Sequence, residues 1–351
     1  MKKTAFILFS LLLVTNLSYG QVPDLFDEND ILEFTLTGPV GELMKDRGDD
    51  PQYHDFQLSY LGTDKAPLQL AVQVKVRGHF RKLKQNCTYP PFLISFTGED
   101  KRNTVFGEQK KLKLVTPCRE EKFVIREYLV YQLYQLTTPK SFRARLVKFT
   151  LKGNDKKGKS YDPLYGILLE EEDQMANRNN MITVEGKLVK PQQTNPDDFL
   201  NMAVFEYLIG NTDWSVQYLQ NVKLIAVDSL STPYTVPYDF DHAGLVGAPY
   251  AFPTPELELG STRERRYRGY CIQEMKQFEP VIARYNQLKG DIYKVYAENA
   301  LLEDSYRKST LRYLDEFYET VNDPKKLKSE FQYPCRADGT GNVVIKGLKK
   351  E

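Results

Sequence analysis

GNTDWSVQYLQNVKLIAVDSLSTPYTVPYDFDHAG, residues 210–244, is the stretch from which the fold of the chain is read. It holds Asp213, then Asn221, an apolar run from Val222, a Ser/Asp turn, a second short run ending at Pro237, and Asp239-Phe240-Asp241. Two short β runs around a polar turn predict a hairpin. Side chains alternate along a strand, so an extended conformation through 239–241 places Asp239 and Asp241 on one face. Neighbouring carboxylates repel, and one takes up a proton unless a cation lies between them. Hard oxygen donors suit Mg²⁺, Mn²⁺ or Ca²⁺ better than zinc. The competing reading is turn chemistry, with the Asp side chains capping backbone amides. Convergence of Asp213 and Asn221 on the same hairpin favours the metal.

The segments around the hairpin look helical. Asn195-Pro196-Asp197-Asp198 offers an N-cap, a proline at N1 and acidic residues in the first turn. The following FLNMAVFEYLI stops at Gly210, a good helix-ending residue. Residues 271–322 carry two or three more helical segments, with Pro280 as a break or bend. Between them, RERRYRGY (263–270) reads either as a solvated charge run or as an arginine patch facing an acidic or phosphate ligand.

Further out, the first half alternates like strands: ILEFTLTG, FQLSYLG, LQLAVQVKVRGHF, PPFLISF and KKLKLVT. On the last, Lys111 and Lys113 share a face opposite Leu112 and Leu114. EEKFVIREYLVYQLYQLT then places Ile125, Tyr128, Leu129, Leu133 and Leu136 at helical spacing. FRARLVKFTLKG and PLYGILLEE form a hairpin around NDKKGKSYD, and residues 172–196 read as polar and loop-rich. The order implies an α+β, bilobal, protein-kinase-like fold. A β-rich antiparallel N-lobe with one helix spans 21–172. A mainly helical C-lobe with the small hairpin spans 173–335, and 336–351 is a peripheral tail.

Composition agrees with a folded protein: 351 residues, 41% hydrophobic and 12% aromatic, enough for a large core. Lys2 and Lys3, an apolar run from Ala5 to Val14 and a polar end at Ser18-Tyr19-Gly20 have the pattern of a secretory signal, residues 1–20. The formal charge is +1, and loss of the two lysines makes it −1, so nothing calls for nucleic acid, and no later stretch calls for membrane insertion. An exported protein, periplasmic or extracellular, is expected. Four cysteines fit an oxidising compartment. Of the three pairings, Cys87–Cys118 with Cys271–Cys335 is favoured because each bond closes a loop within one half of the chain. Three histidines (His54, His79, His242) and no ligand spacing among the cysteines argue against zinc.

Arg77-Gly78, KKLKLV (110–115) ahead of the helix, Asp213…Asn221 and PYDFDHAG (237–244) together resemble the CotH-type family of secreted atypical protein kinases. The last segment is also similar to the Asp-Phe-Asp…Ala-Gly motif of aminoglycoside and choline phosphotransferases. The resemblance implies Asp213 as catalytic carboxylate, and Asn221 and Asp239 as metal ligands with Asp241 assisting. It also implies Lys113 as the nucleotide-phosphate lysine paired with Glu127, Lys111 as its rival, and Arg77 on phosphate. ATP and Mg²⁺ or Mn²⁺ follow as cofactors, with a protein or glycan hydroxyl as acceptor. Departures are plain: there is no Gly-rich phosphate loop, Asp213 and Asn221 stand further apart than in the kinase pattern, and Tyr89-Pro90-Pro91 replaces an expected lysine region. A catalytically inactive kinase-like scaffold, and a carboxylate-dependent hydrolase of glycans or phosphoesters, are the alternatives.

Overall fold

Seven strands of the first half close on themselves. They are β1 (Leu32–Gly38), β2 (His54–Leu61), β3 (Pro67–Val76), β4 (Phe92–Phe96), β5 (Lys111–Val115), β6 (Ala144–Gly153) and β7 (Leu164–Leu169). The order around the barrel is β1-β2-β3-β4-β5-β7-β6. Every neighbouring pair is antiparallel except β1 with β6, which run parallel from Leu32 against Val147 to Gly38 against Gly153. This computed structural model describes residues 23–98, 101, 103–154, 158–186 and 188–337; the signal-like segment 1–20 and nearly all of the tail lie outside them.

Alternation in the sequence fills the barrel. Phe34, Leu36, Phe56, Leu58, Val72, Val74, Ile94, Leu112, Leu114 and Phe149 all point into one apolar interior. The β5–β7–β6 wall is buried on both sides: its other face, with Val115, Leu146, Ile167 and Leu169, belongs to a second and larger core. Against that outer face lies α2 (Glu121–Thr137), buried nearly all round by barrel wall and helices. Leu136, expected on its apolar face, is exposed instead.

The remaining helices among the described residues are α1 (Val40–Leu43), α3 (Glu172–Arg178), α4 (Pro196–Ile209), α5 (Glu279–Gln287), α6 (Lys289–Ala297), α7 (Asp304–Asn322) and α8 (Pro324–Phe331). The start and stop expected for α4 are present. Asn195 accepts a hydrogen bond from the Asp198 amide, and Gly210 takes a left-handed conformation, φ 68°. Pro280 starts α5 rather than bending a helix. The hairpin gains a third strand, giving the order β10-β9-β8 for β8 (Ile182–Val184), β9 (Val222–Ala226) and β10 (Tyr234–Pro237). Residues 172–196, expected as loop, supply α3 and β8.

The bilobal kinase-like architecture is therefore corrected. The chain is an α+β protein with a closed seven-stranded mixed barrel, a helical body and a small separate sheet. Alternation tells which face of a strand is apolar. It carries no record of which distant strand closes the sheet, and closure removes the two edges an open sheet would leave. Both disulfides favoured from the sequence form, Cys87–Cys118 and Cys271–Cys335, as befits an oxidising compartment. Among the described residues no helix is long and apolar enough to cross a membrane.

Candidate functional site

The loop after α4 brings Asp213 and Asn221 together. Ser215 and Gln220 exchange backbone hydrogen bonds of 2.9 and 3.0 Å, closing the intervening residues into a small ring. Asn221 Nδ2 then donates to the Asp213 carbonyl (2.6 Å) and to its carboxylate Oδ2 (3.0 Å), while Gln220 Nε2 donates to Oδ1. The amide of Asp213 donates to Asn211 Oδ1 at 3.0 Å. The long spacing between Asp213 and Asn221 is thus absorbed by the ring. His242 Nδ1 stands 3.9 Å from Asp213 Oδ2. Burial, and then Asp239, push the Asp213 carboxyl above its usual range, against His242, Asn221 and Arg268.

Asn221 also receives the chain from the other strand. Its carbonyl accepts from the Tyr238 amide at 3.0 Å, so Asp239 follows directly beside it. Two left-handed non-glycine residues meet here, Asn221 (φ 52°) and Asp239 (φ 62°). Such backbone is costly outside glycine and persists where surroundings enforce it, commonly at functional sites. Tyr131 on α2 helps enforce it by accepting the Asp239 amide proton at 2.9 Å. The Asp239 carboxylate itself makes no hydrogen bond or ion pair among the described residues. Burial and Asp241 raise its pKa, while Arg81, Arg77 and His242 oppose the rise.

The extended conformation that would place Asp241 on one face with Asp239 does not persist: β10 ends at Pro237 and Asp239 is left-handed. Asp241 is buried against Arg81 Nη1 (3.6 Å) and accepts from Tyr250 Oη (3.0 Å). Nor does Glu127 pair with Lys113: its partner is again Arg81, at 3.7 Å. Burial lifts the Glu127 pKa well above the carboxylate norm, and Arg81 only partly offsets it. Burial alone would lower the Arg81 pKa, but Tyr250, Asp241, Glu127 and Asp239 outweigh it and hold the guanidinium charged. Arg81 also donates to the Thr116 carbonyl, and the Cys87–Cys118 bond ties its loop to the chain entering α2. Nothing in HFRKLKQNC singled Arg81 out among its neighbours; only the nearby cysteine hinted that this loop is fixed.

Lys113 lies on the outer, half-buried face of the barrel wall, as the alternation of β5 required. Its Nζ sits 5.4 Å from the centre of the Tyr238 ring, the residue before Asp239. Burial first, then repulsion from Arg77 and Lys223, lower its pKa to about 8, with Glu172 and Asp239 in opposition. Arg77 is placed by its amide bond to the Pro91 carbonyl, and its side chain makes no ion pair or hydrogen bond among the described residues. Lys111 is on the same face but exposed and away from this group.

Of the four arginines of 263–270, Arg265 and Arg268 turn inward onto main-chain carbonyls, whereas Arg263 is exposed and Arg266 lies over the Tyr333 ring at 4.2 Å. Arg268 Nη1 donates to Thr212 O and Trp214 O, at 2.5 and 2.6 Å, on either side of Asp213. Arg265 holds Leu208 O at 3.2 Å and Tyr313 O at 2.5 Å. Gly244 is needed where this strap passes, since a Cβ there would run into the Thr262 carbonyl. Burial lowers the Arg268 pKa to about 10, with Asp213, Glu206 and Glu256 countering it.

No protein-family model matches the chain, and no curated protein matches it in sequence. The site therefore has to be read from its own geometry. It brings Asp213, Asn221, Asp239, Lys113 and Arg77 into one neighbourhood, and it diverts Asp241 and Glu127 to Arg81. Among the described residues no three His, Cys, Asp or Glu side chains group so as to hold an ion by themselves. Arg81, Tyr131, Tyr250, Lys223 and Arg268 were missed from the sequence, because each is ordinary in its local context and meets the site only through tertiary packing.

Proposed function

We propose that this neighbourhood carries out metal-assisted phosphoryl transfer from a nucleoside triphosphate such as ATP to a hydroxyl of a protein or glycan. The observation that carries the reading is the hydrogen-bonded Asp213–Asn221 pair set beside the Asp239 carboxylate, which has no partner among the described residues. Phosphoryl transfer needs little covalent help from protein; it needs held charges and an oriented hydroxyl. Asp213 is suited to orient the acceptor and take its proton. Its raised pKa brings the carboxylate closer to neutrality, where proton acceptance is more effective. As the acceptor oxygen bonds to the γ-phosphorus, the bridge to the β-phosphate breaks and the nucleoside diphosphate leaves. The resemblance to CotH-type kinases supports this reading at the level of residues, not of architecture.

Mg²⁺ is commonly held by one or two carboxylates together with substrate phosphates rather than by an all-protein cage. The donor set fits that arrangement. Asp239 offers a free carboxylate, and Asn221 keeps Oδ1 open because its amide nitrogen is committed to Asp213. These two residues would hold Mg²⁺ or Mn²⁺, which would supply charge neutralisation on the phosphates.

The test is thermal. Millimolar ATP with Mn²⁺ raises the melting temperature of the wild type through linkage, and Asp239→Asn loses the metal-dependent part. Labelled γ-phosphate should then appear on the protein or on an acceptor panel. Absence of any melting shift defeats the proposal. A shift without transfer to any acceptor leaves the non-catalytic scaffold, and polysaccharide cleavage without nucleotide would favour the hydrolase.

A further inference from the structure

Tyr238 is flanked by two lysines. Lys113 Nζ from the barrel wall lies 5.4 Å from its ring centre, and Lys223 Nζ from β9 lies 5.9 Å from it. Phe142 backs the same ring at 5.6 Å, so the platform is set by packing on the barrel side. Arg77 stands close enough to repel Lys113, which places three cations around one aromatic residue. Against them stand two carboxylates, that of Glu172, bound to Lys223 at 2.6 Å, and that of Asp239, which has no ion pair or hydrogen bond among the described residues. Three positive charges minus two negative ones leaves a surplus of one, and engagement of Asp239 by a divalent cation would add to it. Among the described residues neither Lys113 nor Arg77 has an ion-pair partner. Half-buried cations gathered without partners are unfavourable in the free protein, and an anion relieves them.

We infer that Lys223, Lys113 and Arg77, arranged around Tyr238, form a cradle for a linear oligophosphate, in which Lys223 is a binding residue and Glu172 its built-in competitor. The inference rests on the phosphoryl-transfer reading and adds to it a substrate class: the cradle reads the phosphate chain, not the base. Lys223 lies two residues after Asn221 on β9, so an anion on the cradle is adjacent to the open Asn221 oxygen and the Asp239 carboxylate. Lysine ammonium groups suit this role as mobile point charges, and Arg77 adds a fork for paired oxygens. Glu172 holds Lys223 in the free protein, and releasing it is part of the cost of binding.

The experiment uses inorganic tripolyphosphate as the probe, with the intact disulfide-bonded protein in metal-free buffer, read by calorimetry. Wild type binds tripolyphosphate; ATP competes with it and adenosine does not. Lys223→Met weakens binding at least tenfold, Lys223→Arg keeps it, and Glu172→Gln tightens it several-fold. Melting temperatures of all three variants show that each is folded, and the opposite signs of Lys223→Met and Glu172→Gln guard against a general loss of structure. Unchanged tripolyphosphate binding in folded Lys223→Met overturns the cradle, as does competition by adenosine alone. The two readings fail separately. Transfer from ATP with Mn²⁺ at an unchanged KM in Lys223→Met overturns the cradle and leaves transfer standing. The expected binding pattern with no transfer to any acceptor upholds the cradle and removes the transferase.

Discussion

The Asp213 side of the site and the Tyr238 side are built on opposite plans. Around Asp213 the carboxylate, its amide and the flanking carbonyls are committed: Asn211, Gln220 and Asn221 hold the carboxylate and its amide, and Arg268 clasps the carbonyls on either side. The Arg81 ion pairs with Glu127 and Asp241 continue that plan into α2. Around Tyr238 the charges of Lys113, Arg77 and Asp239 have no ion-pair partner among the described residues. A committed buried charge holds a structure in place, and removing one partner leaves the other exposed to its full desolvation penalty. An uncommitted one is a standing cost that only a ligand removes. Stability and function are thus expected to move in the same direction on one side and in opposite directions on the other.

The largest effect should come from Arg81→Met, which strands Glu127 and Asp241. A loss of about 3–5 kcal/mol is expected, measured by urea denaturation. Next is the double replacement Cys87→Ser with Cys118→Ser. It opens a loop of 31 residues, for which chain entropy gives a loss of about 3–4 kcal/mol. Both changes should cost binding as well as stability, since both release the loop that carries Arg81.

On the other side the sign reverses. Lys113→Met should stabilise the ligand-free protein by about 0.5–2 kcal/mol at pH 7 while weakening tripolyphosphate binding. The pH dependence follows from the lowered pKa of about 8. Between that value and the unfolded lysine value of about 10.4 the unfolded chain binds the extra proton, so stability gains with rising pH in that window. The advantage of Lys113→Met over wild type should therefore be full below pH 8 and vanish toward pH 10.5. A destabilised Lys113→Met at neutral pH would break the contrast between the two sides.

The smallest effect is that of Asp239→Asn in metal-free buffer, a gain of about 0.5–1 kcal/mol. Asparagine tolerates the left-handed backbone and carries no charge to desolvate. The raised pKa of Asp239 means that the native state holds its proton at a pH where the unfolded chain has lost it. The penalty in wild type is thus present at neutral pH and relieved on acidification, and the difference between the two proteins should shrink as pH falls. Equal stabilities at pH 7 would mean that Asp239 is better solvated than its surroundings suggest.

Local signals in the sequence were good at what local chemistry decides. The cap at Asn195, the stop at Gly210, the inward and outward residues of β5 and the meeting of Asp213 with Asn221 all follow from nearest-neighbour rules. Two kinds of fact escaped. Barrel closure depends on β1 finding β6, a pairing with no trace in either strand's alternation. The partners of Glu127 and Asp241 depend on Arg81, an arginine among several basic residues in an irregular loop, so a lysine on a regular strand looked the better candidate. Arg265 and Arg268 of the RERRYRGY strap escaped for a related reason: charge in a sequence suggests solvent, yet guanidinium groups can be consumed by carbonyls that tertiary folding brings to them.

The parallel seam between β1 and β6 has a consequence for how the molecule is made. One edge of β1 pairs with β2, but its other edge stays open until β6, Leu32 against Val147, has been synthesised and has folded back beside it. Until then β1 and the far side of the growing sheet present bare hydrogen-bonding edges, which invite pairing with other chains. A truncation that removes β1 should leave the edges of β2 and β6 open permanently, and its mark would be self-association rather than a missing activity.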